Sequence, residues 1–141
     1  MINEYSFGII PLRKKKEWQV FLVQNKNGMY WGFPKGHSIH NEELHQDVAR
    51  RELKEETNLD IDSFFPLEPF IEEYEYVKNE EKRNKRASYF LATVNGKIKL
   101  QKEEILDGKW INLSEATLLL TYPQSKDILE KVKEFLDCLG R

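Results

Sequence analysis

Three glutamates, Glu52, Glu55 and Glu56, crowd into the stretch Arg51-Glu52-Leu53-Lys54-Glu55-Glu56. Carboxylates can move protons or hold hard cations through oxygen. On a helical projection of about 100° per residue the three fall on one side. Leu44 and Val48 border that side on one edge and Ala49 and Leu53 on the other, while Gln46, Asp47, Arg50 and Lys54 take the opposite half. The glutamates therefore point toward the body of the protein. Carboxylates gathered at a partly buried surface repel one another and lose hydration, so the arrangement calls for cations among them. Cys138 is the only cysteine and no paired histidines accompany the glutamates, which favours magnesium or manganese over zinc. Such ions keep positions open for phosphate oxygens and water. Upstream, Gly36 allows a close backbone approach to a metal or phosphate, and Lys35 adds a point charge.

These residues need a scaffold. From about Leu44 to Thr57 there is no Gly or Pro and good helix formers dominate, with Asn41 just upstream as an N-cap, so this segment is the central helix. Tyr5 to Leu12 and Val20 to Gln24 read as strands joined by the basic loop Arg13 to Lys16. Asn25 to Gly28 is a turn, and Trp31 to Gly36 an aromatic-lined loop. Phe70 to Val77 and Ala87 to Val94 read as strands around a charged connection, Lys78 to Arg86, with a shorter strand near Trp110 and Ile111. Ser114 opens a short helical turn. Ile128, Leu129, Val132, Phe135, Leu136 and Leu139 line one face of a closing helix, Asp127 to Leu139. The order implies one α/β domain over residues 1–141, a mixed sheet covered by helices.

The stretch Gly36 to Leu59 resembles the signature of the Nudix hydrolases: Gly, five residues, Glu, seven residues, then Arg-Glu-apolar-x-Glu-Glu-x-Gly-apolar. The match at Arg51 to Glu56 is complete, and the signature covers about a sixth of the chain. Six residues rather than five separate Gly36 from Glu43, and Asn58 stands where the family has its last glycine. Either Glu42 or Glu43 then takes the part of the first glutamate, which in the family pairs with the arginine; Glu43 keeps the family's distance to Arg51. Asparagine replaces glycine best in the left-handed turn after a helix. The resemblance implies an α/β/α sandwich with a mixed sheet, and metal ions held by Gly36, Glu52, Glu55, Glu56 and Glu104. Outside the signature, Trp31 to His37, Lys85, Tyr89, Glu104 and Tyr122 are similar in order to features of the asymmetrical diadenosine tetraphosphate hydrolases within that family. By this likeness Lys35, His37 and Lys85 hold phosphates and Tyr89 and Tyr122 stack on a base. Glu104 reaches the metal site from a separate loop, Arg51 positions the glutamates, and Glu56 or Glu104 is the general base.

The implied reaction is hydrolysis of diadenosine tetraphosphate to ATP and AMP. The alternatives are a Nudix pyrophosphohydrolase acting on 5′-triphosphate RNA or on oxidised nucleoside triphosphates, and a nucleotide-sensing module without catalysis. The formal charge of −2 supplies no global attraction to a nucleic-acid backbone or an anionic membrane. RNA therefore enters only as a 5′ end, met by Arg13 to Lys16 and Lys82 to Arg86. No stretch reaches the length of a membrane span, no export signal is visible, and a reducing cytoplasm suits the lone cysteine. The sequence leaves the oligomeric state open.

Overall fold

The computed structural model describes residues 1–37 and 44–140. Its eleven elements in chain order are β1 (Ile2–Lys14), β2 (Trp18–Asn25), β3 (Trp31–Gly32), β4 (Lys35–Gly36), α1 (His45–Thr57), β5 (Asp60–Phe64), β6 (Phe70–Lys78), β7 (Glu81–Asn95), β8 (Ile105–Asn112), α2 (Leu113–Leu119) and α3 (Pro123–Leu139). All eight strands belong to one mixed sheet. β1 lies at its centre, parallel to β7 from Ile2↔Arg83 to Leu12↔Thr93 and antiparallel to β2 and β4. No described helix is long and apolar enough to cross a membrane.

Period-two alternation along β1 and β7 builds a core on each face of the sheet. Phe7, Ile9, Phe90 and Ala92 meet Val48, Ala49 and Leu53 of α1. Ile10, Leu12, Ala87, Tyr89 and Leu91 meet Ile128, Leu129, Val132 and Leu136 of α3. This is the α/β/α sandwich expected from the sequence, with the central helix on one face and the closing helix on the other.

Some local expectations change. The charged stretch Lys78 to Arg86 is not a loop: it carries β6 into β7 through a two-residue turn, Lys78↔Glu81, and the ladder continues to Phe70↔Tyr89. Asn79 and Glu80 both take positive φ, 51° and 65°, the turn geometry that matches strand twist. The Trp31 to Gly36 segment, expected as a loop, contributes two short strands. β5, unforeseen, pairs antiparallel with β7. Helix α3 begins earlier than expected, at Pro123, where a fixed φ suits a first turn. Leu44 stands at the N-cap of α1 without a side-chain bond; Asn41, Glu42 and Glu43 lie outside the described residues.

Candidate active site

Helix α1 and strand β4 bring the carboxylates together. Glu56 is 4% exposed, and its Oε1 accepts the backbone N–H of Lys35 at 3.2 Å. Glu52 lies against Gly36 so closely that a Cβ there would sit 2.0 Å from the Glu52 carboxyl carbon. Glycine is thus required by space rather than by backbone conformation. Arg51 donates to Glu52 at 2.9 Å and Glu55 at 3.4 Å through Nη1, and to the His37 carbonyl at 3.2 Å through Nη2. One guanidinium therefore ties the helix to the strand that carries Lys35 and Gly36.

At the helix C-terminus Asn58 takes the left-handed conformation, φ 69°, in the place of the signature's last glycine. The following loop is then hung on the helix end. Lys99 N–H donates to Thr57 O and Gln101 N–H to Glu56 O, while Ile105 buries its side chain beneath. These bonds carry Glu104 back to the carboxylates.

A cleft of about 420 Å³ gathers Lys35, Gly36, His37, Glu52, Glu56, Lys85 and Glu104, all anticipated from the sequence, with Ser6, Asn25, Asn27 and Tyr30. Glu55 is 48% exposed at the rim, on Arg51, outside the lining residues. His37 Nδ1 bonds the Tyr5 carbonyl at 2.9 Å, which fixes the ring at the edge of β1.

The electrostatics follow from burial. Desolvation, then the neighbouring Glu52 carboxylate, pushes the Glu56 carboxyl up to about 8. Desolvation also raises Glu52, with Glu55 adding to it and Arg51 opposing. Burial, then the Lys85 ammonium beside it, lowers Lys35 to about 8. Each pair of like charges thus shares a desolvated neighbourhood, Glu52 beside Glu56 and Lys85 beside Lys35.

Among the described residues no three acidic, histidine or cysteine side chains are already drawn into a metal-ligand cluster. The donor chemistry nevertheless fits a hard cation. Desolvated carboxylates of Glu52 and Glu56 face Glu104 across one cleft, beside a glycine whose missing Cβ leaves room for a carboxylate.

The aromatic end differs from the expectation. Tyr89 is 2% exposed, in the α3-side core, with its ring edge against Phe33 at 5.1 Å. It offers no face to a base, and its proposed stacking role is withdrawn. Tyr122 is 40% exposed, and its neighbours are Tyr30 at 5.4 Å and Tyr74 at 6.4 Å, the latter inclined by only 26°. Two other residues were missed. Ser6 is 1% exposed with no partner for its Oγ among the described residues, yet faces the cleft. Glu72, 4% exposed, accepts a 3.0 Å bond from Ser125 Oγ in the first turn of α3. Tyr74 was missed as well, its available signal being its place two residues from Tyr76 in a strand; for Ser6 and Glu72 there was none.

Fold and cleft together define a Nudix protein, and the NUDIX domain model matches residues 3–132: the chain belongs to the Nudix family. It is similar to the bis(5′-nucleosyl)-tetraphosphatases [asymmetrical] of Rattus norvegicus, 31% identical, and Mus musculus, 30% identical, each over 91% of this chain and 87% of the relative. The crystal structure of C. elegans Ap4A hydrolase superposes with a TM-score of 0.71 and 26% identity, covering 96% of this chain and 99% of that one. The chain is a Nudix hydrolase by family, with a cleft suited to phosphorylated nucleotides.

Proposed function

We propose that the protein hydrolyses diadenosine tetraphosphate to ATP and AMP. The observation that carries this reading is the juxtaposition of the cleft with a cluster of rings: Tyr30 lines the cleft 5.4 Å from Tyr122, and Tyr74, near-parallel to Tyr122, pairs with Lys85 across β6 and β7. The centroids of Tyr74 and Tyr122 lie 6.4 Å apart and their planes differ by 26°, a near-parallel pair that offers flat faces for a base to stack on. The similarity to asymmetrical tetraphosphatases supports the same assignment.

In the reaction, Lys35, Lys85 and the free Ser6 hydroxyl hold phosphate oxygens by charge and hydrogen bonding. Magnesium or manganese bound by Glu52, Glu56 and Glu104 near Gly36 would neutralise charge on the phosphates and acidify water. Arg51 keeps Glu52 turned toward Gly36. Glu56 or Glu104 takes a proton from the attacking water. The water oxygen bonds phosphorus, one P–O–P bond breaks, and the leaving phosphate oxygen departs as an anion held by the lysines.

The test is a magnesium-supplemented screen of diadenosine tetraphosphate, nucleoside triphosphates and 5′-triphosphate RNA, read by product chromatography. ATP and AMP in equal amounts from the dinucleotide are expected. Tyr74→Ala and Tyr122→Ala should each raise KM by roughly ten- to a hundred-fold, from stacking contacts of about 1–3 kcal/mol, and Phe should be tolerated. Faster turnover of RNA ends or of a triphosphate would reassign the substrate within the family.

A further inference from the structure

The α1 face of the sheet carries a larger groove, about 790 Å³, beyond the first turn of α1, whereas Ser6 and Lys85 of the cleft point to the other face. Strand alternation makes it: Tyr5 lies beside Arg86, and Phe7 beside Ser88, which in turn faces Ile71. The stacked rings of Phe7 and His45, 4.1 Å apart, close the end nearest the helix. Tyr5 is 53% exposed and Ile71 41%, so the groove offers an aromatic ring and an aliphatic surface, with the Arg86 guanidinium alongside. His37, fixed on the Tyr5 carbonyl, lines both this groove and the catalytic cleft.

We infer that this groove takes the second nucleoside of the substrate. The inference rests on the dinucleoside reading above. A dinucleoside polyphosphate has two bases, and beside the cleft the near-parallel rings of Tyr74 and Tyr122 serve one of them. With the first base between Tyr74 and Tyr122 and the phosphates over Lys35 and Lys85, the chain passes the carboxylates and turns over the β1 edge at His37. The second base then lies against Tyr5 and Ile71, and Arg86 meets its ribose. A groove of this size, with apolar walls and both Glu4 and Arg86 on its lining, suits the flat base and hydrogen-bonding ribose of a nucleoside. One consecutive pair, Lys85 and Arg86, thus serves the two halves of one ligand from the two faces of a single strand.

The experiment compares diadenosine tetraphosphate with adenosine 5′-tetraphosphate, which has the same phosphate chain and one nucleoside. KM is measured for the dinucleotide, and the inhibition constant of the mononucleotide is measured as a competitor against it. Tyr5→Ala and Arg86→Ala should each raise the dinucleotide KM about ten-fold, as for a lost contact to the second nucleoside, and leave the mononucleotide inhibition constant within about two-fold. Both residues are exposed, and melting temperatures should stay at the wild-type value. Equal weakening of both ligands, or no change in either, overturns the groove assignment. Tyr122→Ala separates the two readings, since it should weaken both ligands. If it weakens neither, or if the wild-type protein leaves the dinucleotide intact, the underlying substrate reading fails.

Discussion

Glu56 sits where its charge is poorly solvated, and burial with Glu52 nearby pushes its carboxyl up to about 8 from an ordinary value near 4.5. Below 4.5 the group is protonated folded and unfolded alike, and its contribution to stability is fully present. Between 4.5 and 8 the unfolded chain releases the proton while the folded protein keeps it, so stability falls as pH rises and the contribution is lost above about 8. Lys35, lowered to about 8, works in the opposite sense, but only from 8 to 10.5. Thermal melts in chelator should therefore show Tm falling from pH 5 to pH 8. Glu56→Gln should flatten that slope and reduce turnover by at least a hundred-fold, and magnesium should raise Tm more at pH 8 than at pH 5. A wild-type melting curve independent of pH would remove Glu56 from this account. Two glycines separate activity from folding in the same way. Gly36→Ala drives a Cβ into the end of the Glu52 side chain, which can swing aside, whereas Gly8→Ala meets the backbone carbonyl of Pro34 at 2.2 Å. The first should retain its Tm and lose most of its kcat. The second should lose several degrees of Tm.

At the scale of elements, the bond from Ser125 to Glu72 joins the first turn of α3 to β6, both partners being buried. The same turn holds Tyr122, whose carbonyl accepts the Ser125 and Lys126 N–H groups, while Tyr74 follows Glu72 on the same face of β6. The bond thus sets the separation of the two rings. Glu72→Leu leaves the Ser125 hydroxyl buried without an acceptor and should raise KM for adenine dinucleotides several-fold with kcat little changed; Glu72→Gln, which retains an acceptor oxygen, should restore it. An unchanged KM in Glu72→Leu, measured alongside Tm, would break the link between bond and ring spacing. Elements also explain what could be read in advance. The helical period placed Glu52, Glu55 and Glu56 inward because apolar residues flank them on both edges; the fold turns Glu52 and Glu56 in and leaves Glu55 exposed beside Arg51. Tyr89 misled because strand β7 is apolar on both faces, with Ala87, Tyr89 and Leu91 toward α3 and Phe90, Ala92 and Val94 toward α1. Alternation cannot then say which side meets a ligand. The β6–β7 hairpin was hidden because its charged strands lack an apolar rhythm and its turn is Asn-Glu rather than the usual glycine pair. Glu104 and Lys85 were legible only through family resemblance, since the fold alone brings them to the helix.

At the scale of the molecule, the sheet works as a partition with chemistry along one edge and binding surfaces on both sides. Its stability depends on strands far apart in the chain. The parallel ladder between β1 and β7 joins residues about eighty positions apart, from Ile2 with Arg83 to Leu12 with Thr93. Pairings this distant in sequence slow folding, because chain closure must precede any reward from contact. On a ribosome adding about 5–20 residues per second, β1 emerges roughly 4–16 s before its partner. During that interval the apolar run Phe7 to Leu12 has β4 at Phe7 and Gly8 and β2 at Leu12 along one edge and nothing on the other, so an unpaired apolar edge stays open to other chains until Thr93 has cleared the exit tunnel.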